Sequence, residues 1–417
     1  MNREELICAV REARQAASQL ALLTGDEKNG LLQAFHDELL RQQDRLLLAN
    51  REDLSRAKDY GLSPAMTERL TLTERRIADM AEGAVALMAL PDPCGRTLAR
   101  WTLPNGLEVI RTTVPFGVIA MIYESRPNVT ADAAALCLKS GNACVLRGGK
   151  EAHFTNAAMT EILHDVLRRA GLPEAAVTSI LDPDRALVQQ LLTLRGLVDL
   201  AIPRGGAGLI RSVVETSTVP VIETGSGVCH TYVDKSADLA KALPIVLNAK
   251  TQRPSVCNAM ETLLIHKDIA PAWLPIAAQA LREKGVELRG DEKVRAILPD
   301  VKPAEESDWS TEYSALILSV KIVDSLDEAI EHIRTYSTGH SECIVAEDRK
   351  AVREFMNHID AACLYANAST RFTDGFEFGF GAEIGISTQK LHVRGPVGLE
   401  PLVTYKYKIF GDGQVRE

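Results

Sequence analysis

Cys257 is the residue whose surroundings best suit nucleophilic chemistry. It lies in the stretch "TQRPSVCNAMETLLIH", four residues after Arg253 and three after Pro254. A thiol with a free pKa of about 8.5 is only slightly ionised at neutral pH, so a nucleophile needs a nearby cation or a helix N-terminus. Pro254 favours a break before a helix, whose N-terminus would stabilise a thiolate. The alternative is an inert buried cysteine, and local sequence leaves both interpretations open.

The other cysteines point to packing rather than chemistry. Five of them lie inside apolar helix or strand patterns, which favours an inert core role: Cys8, Cys137, Cys144, Cys343 and Cys363. The remaining two, Cys94 and Cys229, are interpreted in the same way. His332, His340 and Cys343 are close in sequence, but their spacing matches no standard zinc pattern. We therefore predict no metal site.

Glycine-bearing turns follow three of the predicted strands: "LRGGKEA", "PRGGAGLI" and "ETGSG". The second turn, with Gly205, Gly206 and Gly208, follows a strand and opens a helix, as a phosphate-binding loop does. The alternative is an ordinary tight turn. In the first turn, Arg147 and Lys150 could hold the 2′-phosphate of NADP, or could be a solvated surface pair.

The pattern of apolar residues divides the chain into regions. The first ninety residues show helical periodicity, with Leu6, Val10, Ala13, Ala17 and Leu20 on one face of a helix that Gly25 should end. From about 115 to 227, and again from about 228 to 360, apolar strands alternate with helices, which predicts parallel sheets covered on both faces. The alternation around Asn105-Gly106 predicts a hairpin, and the tail alternates again like an exposed strand.

Composition excludes several classes of protein. The 417 residues are 46% hydrophobic and 25% charged, with a formal net charge of -9 and no basic block, which argues against a nucleic-acid-binding protein. The N-terminus lacks the apolar core of a secretory signal, and no run of about 18 apolar residues predicts a membrane span. Eight cysteines without a CxxC pair are too sparse for a disulfide scaffold. We expect a cytoplasmic enzyme with reduced thiols.

Several of these segments together resemble the aldehyde dehydrogenase superfamily. "VIETGSG" is followed thirty-four residues after its glutamate by Cys257, and "VPFGVIAMI", "LKSGNACVLRGGKEA" and "PRGGAG" precede it in the order typical of that superfamily. The resemblance spans roughly residues 100 to 400. The motifs "YESRPNVTADAAALCLKSGNACVLRGGKEA", "SVCNAMETLLIH" and "AIEHIRTYSTGHSECIV" resemble the branch that reduces glutamyl phosphate, and this likeness covers nearly the whole chain.

The resemblance implies an α/β fold of three parts. A Rossmann-type NADP-binding domain would take residues 1–97 and 114–225, with a return segment at 362–385. An α/β catalytic domain would cover 226–361. Residues 98–113 and 386–417 would form a small β oligomerisation arm. This agrees with the predicted hairpin and tail strand, which would otherwise be exposed edges.

The resemblance also implies a reaction. The enzyme would reduce L-glutamyl 5-phosphate with NADPH to L-glutamate 5-semialdehyde, releasing phosphate, in proline biosynthesis. Cys257 would form a thioacyl intermediate, which divides one difficult step into two. We expect a homo-oligomer that acts on a small molecule and binds neither nucleic acid nor membrane. Association with glutamate 5-kinase is a further hypothesis, motivated by the instability of the acyl phosphate.

The resemblance also assigns roles to other residues, some of them with an alternative role. The oxyanion amide of the family maps near Asn128, although strict register places Arg126 there, and Arg126 could instead bind substrate. Glu223 corresponds to a catalytic glutamate of hydrolytic relatives and is either a proton-transfer group or a structural carboxylate. Glu312 matches a glutamate that holds the nicotinamide ribose, without the usual Phe-Gly-Pro after it. Arg253 and Ser255 are assigned to substrate binding.

Three other functions remain as alternatives. An NAD-dependent aldehyde dehydrogenase would produce acid without phosphate. A cysteine hydrolase would need a histidine partner for Cys257, for which His230 and His266 are the candidates. A binding or scaffold protein on this fold would carry an inert Cys257.

Overall fold

A computed structural model describes residues 1–57 and 59–416. The N-terminal portion begins with five helices: α1 (Arg3–Leu20), α2 (Gly25–Arg41), α3 (Gln43–Ser55), α4 (Pro64–Leu70) and α5 (Glu74–Ala89). Strands and helices then alternate: β1 (Thr97–Thr102), β2 (Glu108–Pro115), β3 (Val118–Tyr123), α6 (Pro127–Lys139), β4 (Ala143–Arg147), α7 (His153–Arg169), β5 (Val177–Ser179), α8 (Arg185–Leu191), β6 (Leu200–Arg204) and α9 (Ala207–Thr216).

The C-terminal portion continues the alternation. Its elements are β7 (Cys229–Val233), α10 (Leu239–Thr251), β8 (Met260–His266), α11 (Ala270–Glu283), β9 (Glu287–Gly290), α12 (Glu292–Ile297), β10 (Lys302–Pro303), β11 (Ile317–Val323), α13 (Leu326–Tyr336), β12 (Ser341–Val345), α14 (Arg349–His358) and β13 (Cys363–Ala366). The tail adds β14 (Ile386–Ser387), β15 (Gly395–Pro396) and β16 (Val403–Phe410), and short 3₁₀ turns connect several elements. No helix within the described residues is both long enough and apolar enough to cross a bilayer.

The predicted amphipathic face of α1 is confirmed. All five of its predicted apolar residues are buried, and the Asn2 side chain caps the helix by accepting from the backbone N–H groups of Glu4 and Glu5. The predicted stop at Gly25 is wrong, because α1 ends at Leu20 and Gly25 begins α2 behind the Thr24 cap. The Thr24 cap therefore sets the start of α2, although Gly25 alone had suggested the end of a helix.

Contact clustering divides the chain into two compact units. The first comprises Met1–Thr224, Gly379–Gly385 and the residues from Val397 onward, and the second comprises Gly225–Phe378 and Ile386–Pro396. The return of 362–385 to the first unit was expected, but only Gly379–Gly385 returns. The cause is β13, which pairs in parallel with β12 of the second unit. Residues 386–396, expected in the arm, form the small β14–β15 pair of the second unit.

The first unit contains a four-stranded parallel sheet in the order β5-β4-β3-β6. Every residue of β3 and β4 is buried, as a parallel sheet covered on both faces requires. The chain moves outward from β3 to β5 and then crosses to β6 on the other side of β3. Strand ends that diverge at such a crossing leave a crevice for ligands. The predicted parallel sheet is confirmed.

The second unit contains a seven-stranded parallel sheet in the order β10-β9-β11-β8-β7-β12-β13. Strands β7, β8 and β12 are buried at every residue. One apolar cluster on this sheet includes Trp273 and Leu274 of α11, and a second includes Ile330 of α13 and Phe355 of α14. This sheet supplies the rigid support for the loops between its strands and helices.

The predicted hairpin and tail strand form a separate antiparallel sheet in the first unit. β1 and β2 pair across a turn in which Gly106 has a φ of +88°. β16 then pairs with β2 over eight residues, from Val403 opposite Pro115 to Phe410 opposite Glu108. The hairpin prediction is confirmed. Large apolar side chains remain exposed on this sheet: Leu98, Trp101, Tyr405, Tyr407, Ile409 and Phe410.

The stability of the first unit should depend on pH through the carboxyl of Asp132. It lies on α6, a helix with almost every residue buried, and burial raises the pKa of its carboxyl to about 6 from an ordinary 3.8. A raised folded-state pKa means that the folded protein holds a proton that the unfolded chain has lost. This contribution to stability is therefore complete below about pH 4 and disappears as the pH rises through 6.

We expect Asp132→Asn to remove about 1 to 3 kcal/mol of the fall in unfolding free energy between pH 4 and pH 6. Urea unfolding at several pH values would measure it. Asp44→Asn on α3 is the matched control, because Asp44 is exposed, and it should keep the wild-type slope. An unchanged slope in Asp132→Asn would contradict the assignment.

Candidate active site

Cys257 lies on a turn between α10 and β8, and its side chain is half-buried. The prediction that Pro254 precedes a helix with Cys257 at its N-terminus is wrong. Residues 253–259 form turns and bends, and β8 begins at Met260. Eight residues separate the end of α10 from the buried strand, and none of them is helical. No helix therefore begins at Cys257 to stabilise a thiolate there.

Gly227 makes the position of this turn specific. A Cβ atom at residue 227 would overlap the carbonyl oxygen of Cys257 and come within 2.5 Å of its carbonyl carbon. No other amino acid fits unless the backbone moves. The sequence showed Gly227 only as the last residue of a glycine turn, thirty residues before the cysteine. Its function is to let two backbone segments touch.

A second cysteine supports the same backbone. Cys229, at the start of β7, is fully buried, and its thiol lies 3.2 Å from the carbonyl oxygen of Cys257, to which it donates. Burial raises the pKa of the Cys229 thiol well above its ordinary value. It therefore stays protonated and remains a donor. The interpretation of Cys229 as unreactive agrees with this, but its contact makes it part of the site.

Asn258 anchors the residue after the nucleophile. Its Nδ2 donates to the carbonyl oxygen of Thr373 at 2.8 Å, and its own carbonyl accepts from the Thr370 hydroxyl at 2.7 Å. Thr373 is held in turn by Ser341 and Tyr365, each at 2.7 Å. The cysteine turn is thus tied to a segment more than a hundred residues away, which no local sequence pattern shows.

The other cysteines show no comparable arrangement. All eight are free thiols, and four besides Cys229 are buried: Cys137, Cys144, Cys343 and Cys363. The hydrogen bond with Cys137, together with burial, raises the pKa of Cys144, and burial raises that of Cys343 to about 12. Cys8 was expected to pack in a core, but it lies on the exposed face of α1. Cys94 is half-buried like Cys257, but its thiol donates to the carbonyl oxygen of Ser140 at 3.1 Å, and burial raises its pKa.

Neither candidate histidine supports a cysteine hydrolase. His266 ends β8, whereas Cys257 precedes its start, so the seven-residue strand separates them by about 20 Å. His230 is fully buried in β7, with Nδ1 3.0 Å from the Glu342 carboxylate. His266 is therefore too far from Cys257 to act as its base, and His230 is engaged by Glu342 instead.

Arg253, Ser255 and Glu312 belong to the same unit as Cys257. Arg253 is exposed and Ser255 half-buried on the cysteine turn. Glu312 is half-buried, and its charge acts on the fully buried ion pair of Lys250 and Glu261. Burial is the main cause that raises the pKa of Glu261 to about 7, and the charge of Glu312 adds to it. Glu312 therefore lies beside a buried charge pair that the sequence did not reveal.

In the first unit, Arg147 and Lys150 have different surroundings. Arg147 is 8% exposed, and its guanidinium donates to the carbonyl oxygens of Pro183, at 2.9 Å, and Gly148. Burial lowers its pKa. Lys150 is exposed, with Nζ 4.7 Å from the centre of the Tyr60 ring. Only Lys150 is a solvated cation, and the interpretation of both residues as a surface pair fails for Arg147.

A cleft opens where strands β3, β4 and β5 end. It is lined by Tyr123, Leu146, Gly148, Gly149, Lys150, His153, Asn156, Ser179, Ile180 and Leu181. A Cβ at Gly148 would overlap the amide of Asn156 and approach the Tyr123 ring at 3.0 Å, so the glycine is required by close packing. Carboxyl ends of parallel strands, a crevice and an exposed lysine together fit an adenosine phosphate.

The strand-turn-helix at "PRGGAG" is confirmed, because β6 ends at Arg204 and Gly206 precedes the first residue of α9. The backbone N–H of Gly206 donates to the carboxylate of Glu124 at 3.0 Å. A Cβ at Gly205 would lie 2.7 Å from that carboxylate carbon, whereas Gly208 has open space around it. Glu124 was not predicted. Its only signal is an acidic residue directly after β3, the strand that neighbours β6.

The remaining predicted residues also belong to the first unit. Asn128 is exposed on the first turn of α6 and donates to Asp132 at 3.1 Å, and Arg126 precedes that helix. Glu223 is half-buried next to Thr224, whose hydroxyl donates to the carbonyl oxygen of Pro203 at 2.7 Å.

Sequence comparison places the chain among known enzymes. The family model described as "Aldehyde dehydrogenase family" matches residues 1–296. The gamma-glutamyl phosphate reductase of Moorella thermoacetica is 56% identical, with 98% of this chain and 97% of that protein covered. The enzyme of the same name from Carboxydothermus hydrogenoformans is 54% identical, with 99% of this chain and 100% of that protein covered.

Structural comparison agrees. The crystal structure of gamma-glutamyl phosphate reductase from Thermotoga maritima matches with a TM-score of 0.96 and 48% identity, covering 99% of this chain and 100% of that one. The acetylating aldehyde dehydrogenase of Geobacillus thermoglucosidasius shares the fold, with a TM-score of 0.70 at 20% identity. The predicted fold class and resemblance are confirmed, and the chain belongs to the aldehyde dehydrogenase family and, within it, to the family of gamma-glutamyl phosphate reductases.

Proposed function

We propose that the protein reduces L-glutamyl 5-phosphate to L-glutamate 5-semialdehyde with NADPH, releasing phosphate, as a step of proline biosynthesis. The observation that carries this proposal is the half-buried Cys257 on a turn fixed by Gly227, Cys229 and Asn258. It is supported by relatives of the same name that match over nearly the full chain. The alternative of an inert scaffold leaves this construction unexplained.

The chemistry begins at the thiolate of Cys257. Its sulfur attacks the acyl carbon of the substrate, the bond to the phosphate oxygen breaks, and a thioacyl enzyme forms. Arg253 and Ser255 bind the anionic substrate on the same turn. Asn128, or Arg126 in its place, donates to the developing oxyanion. Glu223 transfers protons, and in the alternative it only shapes its turn.

The first unit holds the cofactor. Lys150, in the cleft at the ends of β3, β4 and β5, would hold the 2′-phosphate of NADP, and Arg147 would support the backbone beside it at Gly148 and Pro183. Gly205, Gly206 and Gly208 would leave the N-terminus of α9 accessible to the pyrophosphate. Glu312, in the second unit, is assigned to the nicotinamide ribose. When bound, the nicotinamide supplies the hydride that reduces the thioester, after which the aldehyde leaves Cys257.

The assembly and location follow from the same proposal. The exposed apolar side chains of the β1-β2-β16 sheet form the contact of a homo-oligomer, because paired copies would cover the free edge and faces. The enzyme acts in the cytoplasm on a small molecule, without nucleic acid or membrane. Direct transfer of the unstable acyl phosphate from glutamate 5-kinase is the accompanying hypothesis.

We expect Cys257→Ala to abolish turnover, since the Ser255 hydroxyl on the same turn is a far weaker nucleophile than a thiolate. The reverse reaction is convenient, with glutamate-5-semialdehyde, NADP and phosphate mixed and nicotinamide absorbance followed. Cys8→Ala, at an exposed position on α1, is the control and should keep wild-type rates. Cofactor reduction without phosphate would indicate a hydrolytic dehydrogenase instead. Wild-type rates in folded Cys257→Ala would refute the nucleophile.

Lys150→Ala should raise the KM for NADPH by about 10- to 100-fold while changing that for NADH little, because one cation–phosphate contact contributes about 1–3 kcal/mol. Steady-state kinetics with each cofactor would measure the ratio. Lys350→Ala, at an exposed lysine of α14, is the matched control. An equal loss with both cofactors would assign Lys150 a role other than reading the 2′-phosphate.

Glu124→Gln should tighten NADPH binding several-fold. The carboxylate that accepts from Gly206 places negative charge where the pyrophosphate is expected, and the neutral amide keeps the hydrogen bond without the repulsion. Titration of nicotinamide fluorescence would give the dissociation constant. Weaker binding in the variant would instead make Glu124 a direct ligand of the cofactor.

A further inference from the structure

We propose that Arg371 is a positioning residue for Cys257, which ties together the two ends of the cysteine turn and supplies positive charge beside the thiolate. The inference rests on the proposed function in one respect, that Cys257 is the nucleophile. Sequence analysis did not single out Arg371, which lies in the segment "NASTRFTDG" beyond β13.

The guanidinium of Arg371 spans the turn. Its Nε donates to the side-chain oxygen of Gln252 at 2.7 Å, and its Nη1 donates to the side-chain oxygen of Asn258. Gln252 caps the C-terminus of α10, and Asn258 directly follows the cysteine. One planar side chain thus joins the residues on either side of 253–257. An arginine suits this position because its donors form a rigid fork.

The segment that carries Arg371 is itself fixed. It forms a 3₁₀ turn, Thr370–Phe372, whose first hydroxyl donates to the backbone carbonyl of Asn258. The Asn258 amide donates back to the carbonyl oxygens of Arg371, at 3.3 Å, and Thr373. Both the side chain and the backbone of Asn258 are used, so movement of Arg371 would be felt one residue from the thiol.

The charges around the turn favour the same role. Burial is the largest effect on Arg371 and lowers its pKa, while the carboxylate of Asp374 and the thiolate of Cys257 raise it. A thiolate that stabilises the guanidinium is stabilised by it to the same extent. Arg253, on the turn itself, carries a second positive charge, which lowers the pKa of Arg371 further. Arg371 is therefore a cation whose charge acts directly on Cys257.

Other titratable groups nearby do not replace this charge. Cys229 of β7 is held as a neutral thiol, and the carboxylates of Glu342 and Glu261 raise its pKa further. Both side chains are fully buried, and any negative charge on them disfavours a thiolate rather than stabilising it. The balance at the cysteine turn therefore depends on arginine, since a guanidinium stays charged at every pH at which the protein is folded.

The test measures alkylation of Cys257 by iodoacetamide as a function of pH, with the modified peptide quantified by mass spectrometry. Arg371→Met removes the charge and the hydrogen bonds but keeps an unbranched, flexible side chain. We expect the apparent thiol pKa to rise by about one unit, so that the rate at pH 7 falls about tenfold and the rates converge above pH 10. Convergence is the signature of lost charge, because a displaced thiol would react slowly at every pH.

Matched variants separate charge from shape. Arg371→Lys and Arg371→Gln both shorten the side chain, but only lysine keeps the charge, so Lys should retain a profile within about threefold of wild type while Gln follows Met. This pair decides the question even where Arg371→Met does not fold. Gln252→Ala, which removes one hydrogen bond and no charge, should leave the apparent pKa unchanged.

An identical profile in wild type, Arg371→Gln and Arg371→Met would overturn the inference, as would rates lowered equally at all pH values. Neither result touches the proposed function, because alkylation requires no substrate. The proposed function would fail separately, if complete alkylation of Cys257 in the wild-type protein left turnover intact.

Discussion

The close passage of two backbones, at Gly227 and at Cys257, is the constraint on which the site depends. Without a Cβ at residue 227 the carbonyl of Cys257 can lie against the chain, where the buried thiol of Cys229 binds it. β8, buried along its whole length, fixes one end of the turn, and α10 fixes the other. The position of Cys257 is thus fixed by packing of the sheet, while part of its turn stays exposed.

The charged groups of the two units act on different atoms: a thiol in the second unit and a helix N-terminus in the first. In the second unit the charge of Arg371 acts on Cys257, and the neighbouring Cys229 is held as a neutral thiol. In the first unit Lys150 and the N-terminus of α9 offer positive charge, while Glu124 places a carboxylate at that same N-terminus. Such a carboxylate stabilises the loop when no other anion is there. The Glu124 carboxylate therefore stabilises the free loop at Gly206 and at the same time weakens the binding of another anion there.

Much of the fold was predictable, because the patterns that predicted it are local. Fully apolar strands followed by helices specify parallel sheets, and Asn105-Gly106 specifies a hairpin, as the structure shows. The boundaries were harder. The return to the first unit was predicted at 362, yet Cys363–Ala366 pairs with β12, because strand pairing depends on a neighbour that the segment itself does not reveal.

The candidate site was predictable in its residue types and less so in its contacts. Cys257 and the glycine turn were recognisable, but a helix was expected after Pro254 where the structure has turns and bends. Arg371, Asn258 and Glu124 act through contacts with residues distant in sequence, and their types are common in ordinary loops. Spacing along one chain contains no signal for such contacts.

The tie between Asn258 and Arg371 has a consequence for the order in which the protein is made. Arg371 leaves the ribosome 113 residues after Asn258. Until then the cysteine has been synthesised, but the segment that fastens its turn has not. During that interval the turn is held by its flanking helix and strand and by the earlier segment with Gly227 and Cys229. A nascent chain therefore acquires the hydrogen bonds from Arg371 and Thr370 to this turn late in synthesis.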